Sequence, residues 1–160
     1  MRKIHNPFPA IHHEKDYHCF GCSPLNSHGL GLEFWDEGEE VFSIWSPSRD
    51  FEGYPGIIHG GILATLMDET ASWFVYAKLK TSGVTSEMTV RYLKPVRTTG
   101  GDVKTAVRLL RRESRLATLQ CTVFTNDGTP SAIAEITFFL YPEKIAVSRY
   151  HYPGEDAFYP

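Results

Sequence analysis

A histidine and two glycines, His59-Gly60-Gly61, open a long apolar run, and an aspartate, Asp68, falls nine positions after the histidine in the middle of it. Neither packing nor helix propensity asks for a carboxylate there. Glycines in the first turn of a helix leave unpaired backbone N–H groups unshielded by side chains. Reinforced by the positive end of the helix dipole, such donors form a cradle for a carbonyl oxygen gaining negative charge. An aspartate two turns further on is costly to bury unless it is paired, hydrated or used. In use, it serves as general base on a water, or attacks an acyl carbon itself to give a mixed anhydride. A plainer reading stands beside this one: the glycines only let the helix start pack beneath a loop, and Asp68-Glu69 only marks the solvent side. Glu69 fits that plainer reading better than Asp68 does. His59 titrates near neutrality and so is a candidate base, but a loop histidine beside two glycines is expected to orient the loop rather than move protons.

The elements that must position these groups follow from periodicity. From Gly60 to about Leu79, apolar residues recur at Ile62, Leu63, Leu66, Met67, Thr70, Trp73, Phe74 and Ala77, a three-four spacing that predicts one long helix. Its other side is small, with Ala64, Asp68, Ala71 and Ser72, so another surface can approach Asp68 closely. Trp73, Phe74 and Tyr76 are candidates to line an apolar pocket, aromatic or long aliphatic. Ahead of the helix, Leu30 to Trp35 and Val41 to Trp45 read as a hairpin turned at Asp36-Glu37-Gly38-Glu39. After it, Val84 to Leu93, Gly101 to Leu110, Leu116 to Thr125 and Ser131 to Tyr141 read as strands, with Asn126-Asp127-Gly128-Thr129 as a hairpin turn. The expectation is an α+β domain over residues 29–141, one antiparallel six-stranded sheet with a single apolar helix against it. Residues 1–28, punctuated by Pro7, Pro9 and Pro24, read as an irregular lead-in with room for one helical turn; residues 142–160 show no period and are either docked or loose. One helix cannot cover both faces of such a sheet, and long strands leave open edges. A symmetric homodimer, by edge-to-edge continuation of the sheet, is expected.

Composition narrows the function classes. A chain of 160 residues, 42% hydrophobic and 13% aromatic, supports one well-buried core and is too short for two ordinary domains. A formal charge of −3 argues against binding nucleic acid or anionic lipid through bulk electrostatics. The start of the chain lacks a signal-like apolar stretch and no run approaches a membrane span, so a cytoplasmic location is expected. Cys19, Cys22 and Cys121 are too few for a disulfide framework, and reduced thiols are expected. His18-Cys19-Phe20-Gly21-Cys22, with His28 beyond, has the spacing of half a zinc site, but no second Cys-x-x-Cys follows, and a structural role without metal is expected. Arg108, Arg111, Arg112 and Arg115 around a strand turn either hold phosphate groups or are simply solvated.

Two stretches carry a family resemblance: Pro55-Gly56-Ile57-Ile58-His59-Gly60-Gly61-Ile62-Leu63-Ala64-Thr65-Leu66-Met67-Asp68-Glu69 and Val84-Thr85-Ser86-Glu87-Met88-Thr89-Val90-Arg91-Tyr92-Leu93-Lys94-Pro95. In them the chain resembles the hotdog-fold thioesterases, especially the phenylacetate-degradation-type branch of acyl-CoA thioesterases. The resemblance implies a hotdog fold, an antiparallel sheet wrapped around one long central helix, and hydrolysis of acyl-CoA to a free acid and CoA with no separate cofactor and no metal. It implies Asp68 as the catalytic carboxylate and the Gly60 N–H, helped by His59 and Gly61, as the site that polarises the thioester oxygen. Thr85 matches a strand hydroxyl that places the nucleophilic water, with Ser86 as its one-residue alternative. Such sites lie between two subunits, so the parts are expected to meet across an interface in a homo-oligomer, a dimer or a dimer of dimers. The Cys-Phe-Gly-Cys segment resembles a lead-in that covers the sheet edge. Some members carry an Asn or Gln shortly before the HGG motif; here Phe51-Glu52-Gly53-Tyr54 stands there, so that contribution is not carried over. The same fold also supports acyl-thioester dehydratases or hydratases, which need a His and an acid facing each other, and non-catalytic acyl-binding modules.

Overall fold

The apolar run that begins at Gly60 becomes the helix around which the rest of the chain is arranged. The computed structural model describes residues 1–13 and 16–160. Among them the elements are β1 (Arg2–Ile4), α1 (Phe8–Ile11), β2 (Glu33–Glu37), β3 (Glu40–Trp45), α2 (Gly60–Lys78), β4 (Gly83–Tyr92), β5 (Val103–Glu113), β6 (Leu116–Phe124), β7 (Pro130–Leu140) and α3 (Glu143–Tyr150). All strand pairings are antiparallel, in the order β1-β2-β3-β5-β6-β7-β4. The β2–β3 hairpin closes at Gly38, whose φ of 62° lies in the left-handed region that glycine tolerates. This is the hotdog arrangement: an α+β domain whose sheet wraps one long helix.

α2 is buried on more sides than the expected single face. Leu63, Leu66, Met67, Thr70, Ala71, Trp73, Phe74, Val75 and Ala77 are all buried, so Ala71 lies in the core rather than on an open small-residue side. A helix apolar nearly all round is one that is covered all round. The sheet covers one side: Phe34 of β2 stacks on Trp73 with ring centroids 4.4 Å apart, and Thr70 shares a 2.9 Å hydrogen bond with Ser43 of β3. The chain ends cover the other. Phe158 is fully buried, stacked on Tyr76 at 5.8 Å and edge-on to Trp73 at 5.9 Å. Each such side chain stabilises the fold by about 1.5–3 kcal/mol through burial alone. Trp73 and Phe74 are therefore core residues.

The two termini hold each other. His5 N–H donates to Phe158 C=O at 2.9 Å, and the Arg2 guanidinium donates to Tyr159 C=O at 2.8 Å while lying 4.5 Å from that ring's centroid. The segment read as an irregular lead-in thus adds β1 to the sheet, making seven strands among the described residues, and the tail read as without period folds into α3 and docks. Three-residue strands and short aromatic segments carry no period long enough to detect; tertiary contact forms them. Lys78, in the last turn of α2, pairs with Asp36 and donates to Gly38 C=O at 2.8 Å, which ties the helix end to the β2–β3 turn. Among the described residues no helix is long and apolar enough to cross a membrane.

Candidate active site

His59 starts α2. Its Nδ1 accepts the Gly61 N–H at 2.9 Å, the N-cap role that makes the imidazole a fixed part of the turn. A Cβ on Gly61 would come within 3.0 Å of that same Nδ1, so the cap itself excludes a side chain there. The Gly61 donor is consequently engaged, and His59 C=O takes the N–H groups of Ile62 and Leu63. The Gly60 N–H is left without a partner among the described residues. A cleft of about 490 Å³ lined by Gly53, Tyr54, Ile57, Ile58, His59 and Gly60 opens at this end of the helix. On the opposite side of Gly60, the Tyr92 hydroxyl donates to its carbonyl at 2.8 Å. Tyr92 sits within the second quoted stretch, yet only the fold shows that the end of β4 returns to the helix start.

Asp68 is partly exposed, midway along α2, and faces β4. The Thr85 hydroxyl donates to Asp68 Oδ1 at 2.6 Å, a charge-assisted contact between strand and helix inside one chain. Oδ2 is left to accept from another group. The residue that aims Thr85 is Ser86: the β4–β7 register slips between Thr85 and Glu87, so Ser86 is the extra residue of a bulge, and its hydroxyl donates to Thr137 C=O at 3.0 Å. Thr85, not Ser86, reaches the carboxylate. Beneath the helix, the Cys121 thiol of β6 donates to Met67 C=O at 3.7 Å, and burial and then the Asp68 charge push that thiol up.

The expectation that the motif meets across an interface divides in two. Asp68 and Thr85 meet within the chain. Gly60 does not join them, because eight residues of helix rise separate it from Asp68, about 12 Å along the axis.

Glu69 corrects an expectation. The sequence fits it to the solvent side better than Asp68, but a further 100° of helical rotation turns it from the β4 side toward the N-terminal segment. There its Oε1 accepts the Trp73 indole N–H at 3.2 Å and the Cys19 thiol at 3.5 Å. Burial raises its proton affinity, while hydrogen bonds from Cys22, Cys19 and Trp73 pull the other way. Trp73 is four residues along the same helix, but the thiol partner that holds this glutamate on the inside lies fifty residues away in sequence, where the helix pattern carries no signal of it. The arginine cluster is spread along β5 and the following turn, and Arg108 is engaged in the sheet through bonds to Gln120 at 2.9 and 2.7 Å.

Residues 55–132 match the family model described as the thioesterase superfamily. The chain is 28% identical over 105 residues to acyl-coenzyme A thioesterase THEM4 of Rattus norvegicus, a match that covers 62% of this chain and 44% of the rat protein. In fold it resembles a thioesterase superfamily protein of known crystal structure, with a TM-score of 0.69, 22% identity, and 76% of this chain and 62% of that one covered. It also resembles a hypothetical thioesterase protein with coenzyme A from Streptococcus pneumoniae TIGR4, with a TM-score of 0.64, 20% identity, and coverage of 70% and 90%. Residues 55–132, just under half of the chain, thus match the thioesterase superfamily model, and the chain has the fold of the solved thioesterases it resembles.

Proposed function

We propose that the protein hydrolyses acyl-CoA thioesters to free acids and CoA, with Asp68 as the catalytic carboxylate. The observation that carries this reading is the 2.6 Å bond from Thr85 Oγ1 to Asp68 Oδ1 on the central helix of a thioesterase-superfamily fold. Thr85 fixes the carboxylate's rotation and leaves Oδ2 to take a proton from water. The hydroxide so formed adds to the thioester carbon, the oxyanion is held by a Gly60 N–H, and the C–S bond breaks with CoA leaving as its thiolate. Direct attack by Oδ2 would instead give a mixed anhydride that water then opens. The CoA portion of the substrate is supported by the rat relative's name and by the coenzyme A in the streptococcal structure.

The donor and the carboxylate of one helix are too far apart to act on one carbonyl. A second copy solves this. β4, which carries Thr85, is an edge strand ten residues long with one side unpaired, and pairing two such edges brings another chain to Asp68. The active form is therefore a homodimer in which Gly60 of one copy serves Asp68 of the other. A dehydratase reading is disfavoured because His59 Nδ1 is occupied by the Gly61 N–H.

The test is thiol release from a panel of acyl-CoA substrates by the wild-type chain and by Asp68→Asn, with the mass in solution measured by light scattering. Hydrolysis that falls by orders of magnitude in Asp68→Asn, in a dimer, is the expected result. Undiminished hydrolysis by that variant, or an active monomer, refutes the assignment.

A further inference from the structure

On the side of α2 away from Asp68, five side chains from two segments form a chain of hydrogen bonds that the thioester chemistry does not use. The Tyr17 hydroxyl lies 2.8 Å from Cys22 Sγ, Cys22 Sγ donates to Cys19 Sγ at 3.0 Å, and Cys19 Sγ donates to Glu69 Oε1 at 3.5 Å, where the Trp73 indole also donates. The backbone N–H of Cys22 adds a bond to Cys19 Sγ at 3.2 Å. Gly21, between the two cysteines, makes this approach possible: a Cβ there would stand 2.5 Å from the Glu69 carboxyl carbon. A cleft of about 210 Å³, lined also by Phe8, His12 and Tyr76, opens onto both sulfurs.

We propose that Cys19 and Cys22 are a reversible dithiol–disulfide pair, with Cys19 the attacking thiolate, Glu69 its base and Cys22 the resolving thiol, oxidised by hydrogen peroxide entering through this cleft. The two sulfurs differ as such a pair requires. Cys19 is partly exposed and Cys22 buried. The hydrogen bond from Cys22 draws the Cys19 thiol down, whereas the same bond and burial push Cys22 up. The arrangement also favours a dithiol over a metal centre. Each thiol hydrogen already has an acceptor, and two thiolates on one tetrahedral zinc, each about 2.3 Å from it, would stand about 3.8 Å apart. These sulfurs are closer than that, at 3.0 Å.

The reaction balances as follows. Glu69 takes the Cys19 proton, the thiolate attacks one peroxide oxygen, the O–O bond breaks, and hydroxide leaves and is protonated to water, giving a sulfenic acid on Cys19. Cys22 sulfur then attacks Cys19 sulfur, the S–O bond breaks, and hydroxide leaves with the Cys22 proton as a second water. Two thiols have lost two electrons to one peroxide.

The experiment is titration of the reduced, full-length protein with hydrogen peroxide, followed by intact mass and by thiol count after denaturation. The expected product is lighter by two hydrogens, retains only the Cys121 thiol, and returns to the starting mass with a dithiol reductant. Cys22→Ser should stop at a Cys19 sulfenic acid that dimedone traps, and Glu69→Gln should oxidise about ten-fold more slowly. Survival of all three thiols, failure to trap Cys19 in Cys22→Ser, or wild-type rates in a folded Glu69→Gln overturns the proposal. Stoichiometric zinc bound to the reduced chain overturns it as well, in favour of a metal site. Should Glu69→Gln not fold, the trapping experiment on Cys22→Ser decides alone.

Discussion

Replacing Thr85 by Val keeps the shape of the side chain and removes the donor that orients Asp68 among the described residues. The bond removed is short, 2.6 Å, and its acceptor is a carboxylate; hydrogen bonds to charged groups contribute about 1.5–3 kcal/mol. Expressed fully in the transition state, that range corresponds to a loss of about ten- to one-hundred-fold in kcat/KM. Asp68→Asn should cost more, about 10²- to 10⁴-fold, because the base itself is gone. The double variant should be no worse than Asp68→Asn alone, since a residue that acts through the carboxylate has nothing left to orient. Thr85→Ser, which keeps the hydroxyl, should stay near wild type. Initial rates of CoA thiol release on one acyl-CoA, with thermal unfolding as a control for folding, supply every number needed. Wild-type activity in Thr85→Val, or losses that multiply in the double variant, would show that the hydroxyl does not work through Asp68.

Three further outcomes follow from other contacts. His59→Ala removes the N-cap of α2 and should lower the free energy of unfolding by about 1 kcal/mol in a denaturant titration. Phe158→Ala, at a fully buried ring between Tyr76 and Trp73, should cost about 3–5 kcal/mol and show that the C-terminal segment is part of the fold rather than an appendage. Asp127 accepts from Thr125 Oγ1 at 2.6 Å and Thr129 N–H at 3.0 Å, and these bonds hold its carboxyl down to about 2. A depressed carboxyl stabilises the hairpin above the ordinary aspartate range, near 3.9, and that contribution is lost as pH falls through about 2. A carboxyl titration followed by NMR should therefore find the Asp127 midpoint well below the ordinary aspartate range, and Asp127→Asn should lower the melting temperature at pH 6 and much less at pH 2.

The sequence by itself determined the parts with a long period or a local rule. The apolar spacing from Ile62 to Ala77 defines α2, alternation and turn residues define β2 to β7, and two glycines after His59 define a helix start with a free donor, because each of these signals resides within a few neighbouring residues. The family match at residues 55–132 agrees with those elements. Tertiary structure decided whatever depends on distant partners. Arg2–Ile4 becomes a strand only beside Phe34–Asp36, and the aromatic tail is ordered only against Trp73 and Tyr76. Ser86 and Thr85 are interchangeable in the sequence until the bulge against β7 turns one toward the helix and the other toward Thr137. The sharpest case is the adjacent pair Asp68-Glu69, two acids alike in type and separated by one step of helix. That step places Asp68 against an open strand edge, where water and substrate can reach it, and Glu69 beside the indole of its own helix and against thiols of a distant segment that the helix alone does not foretell.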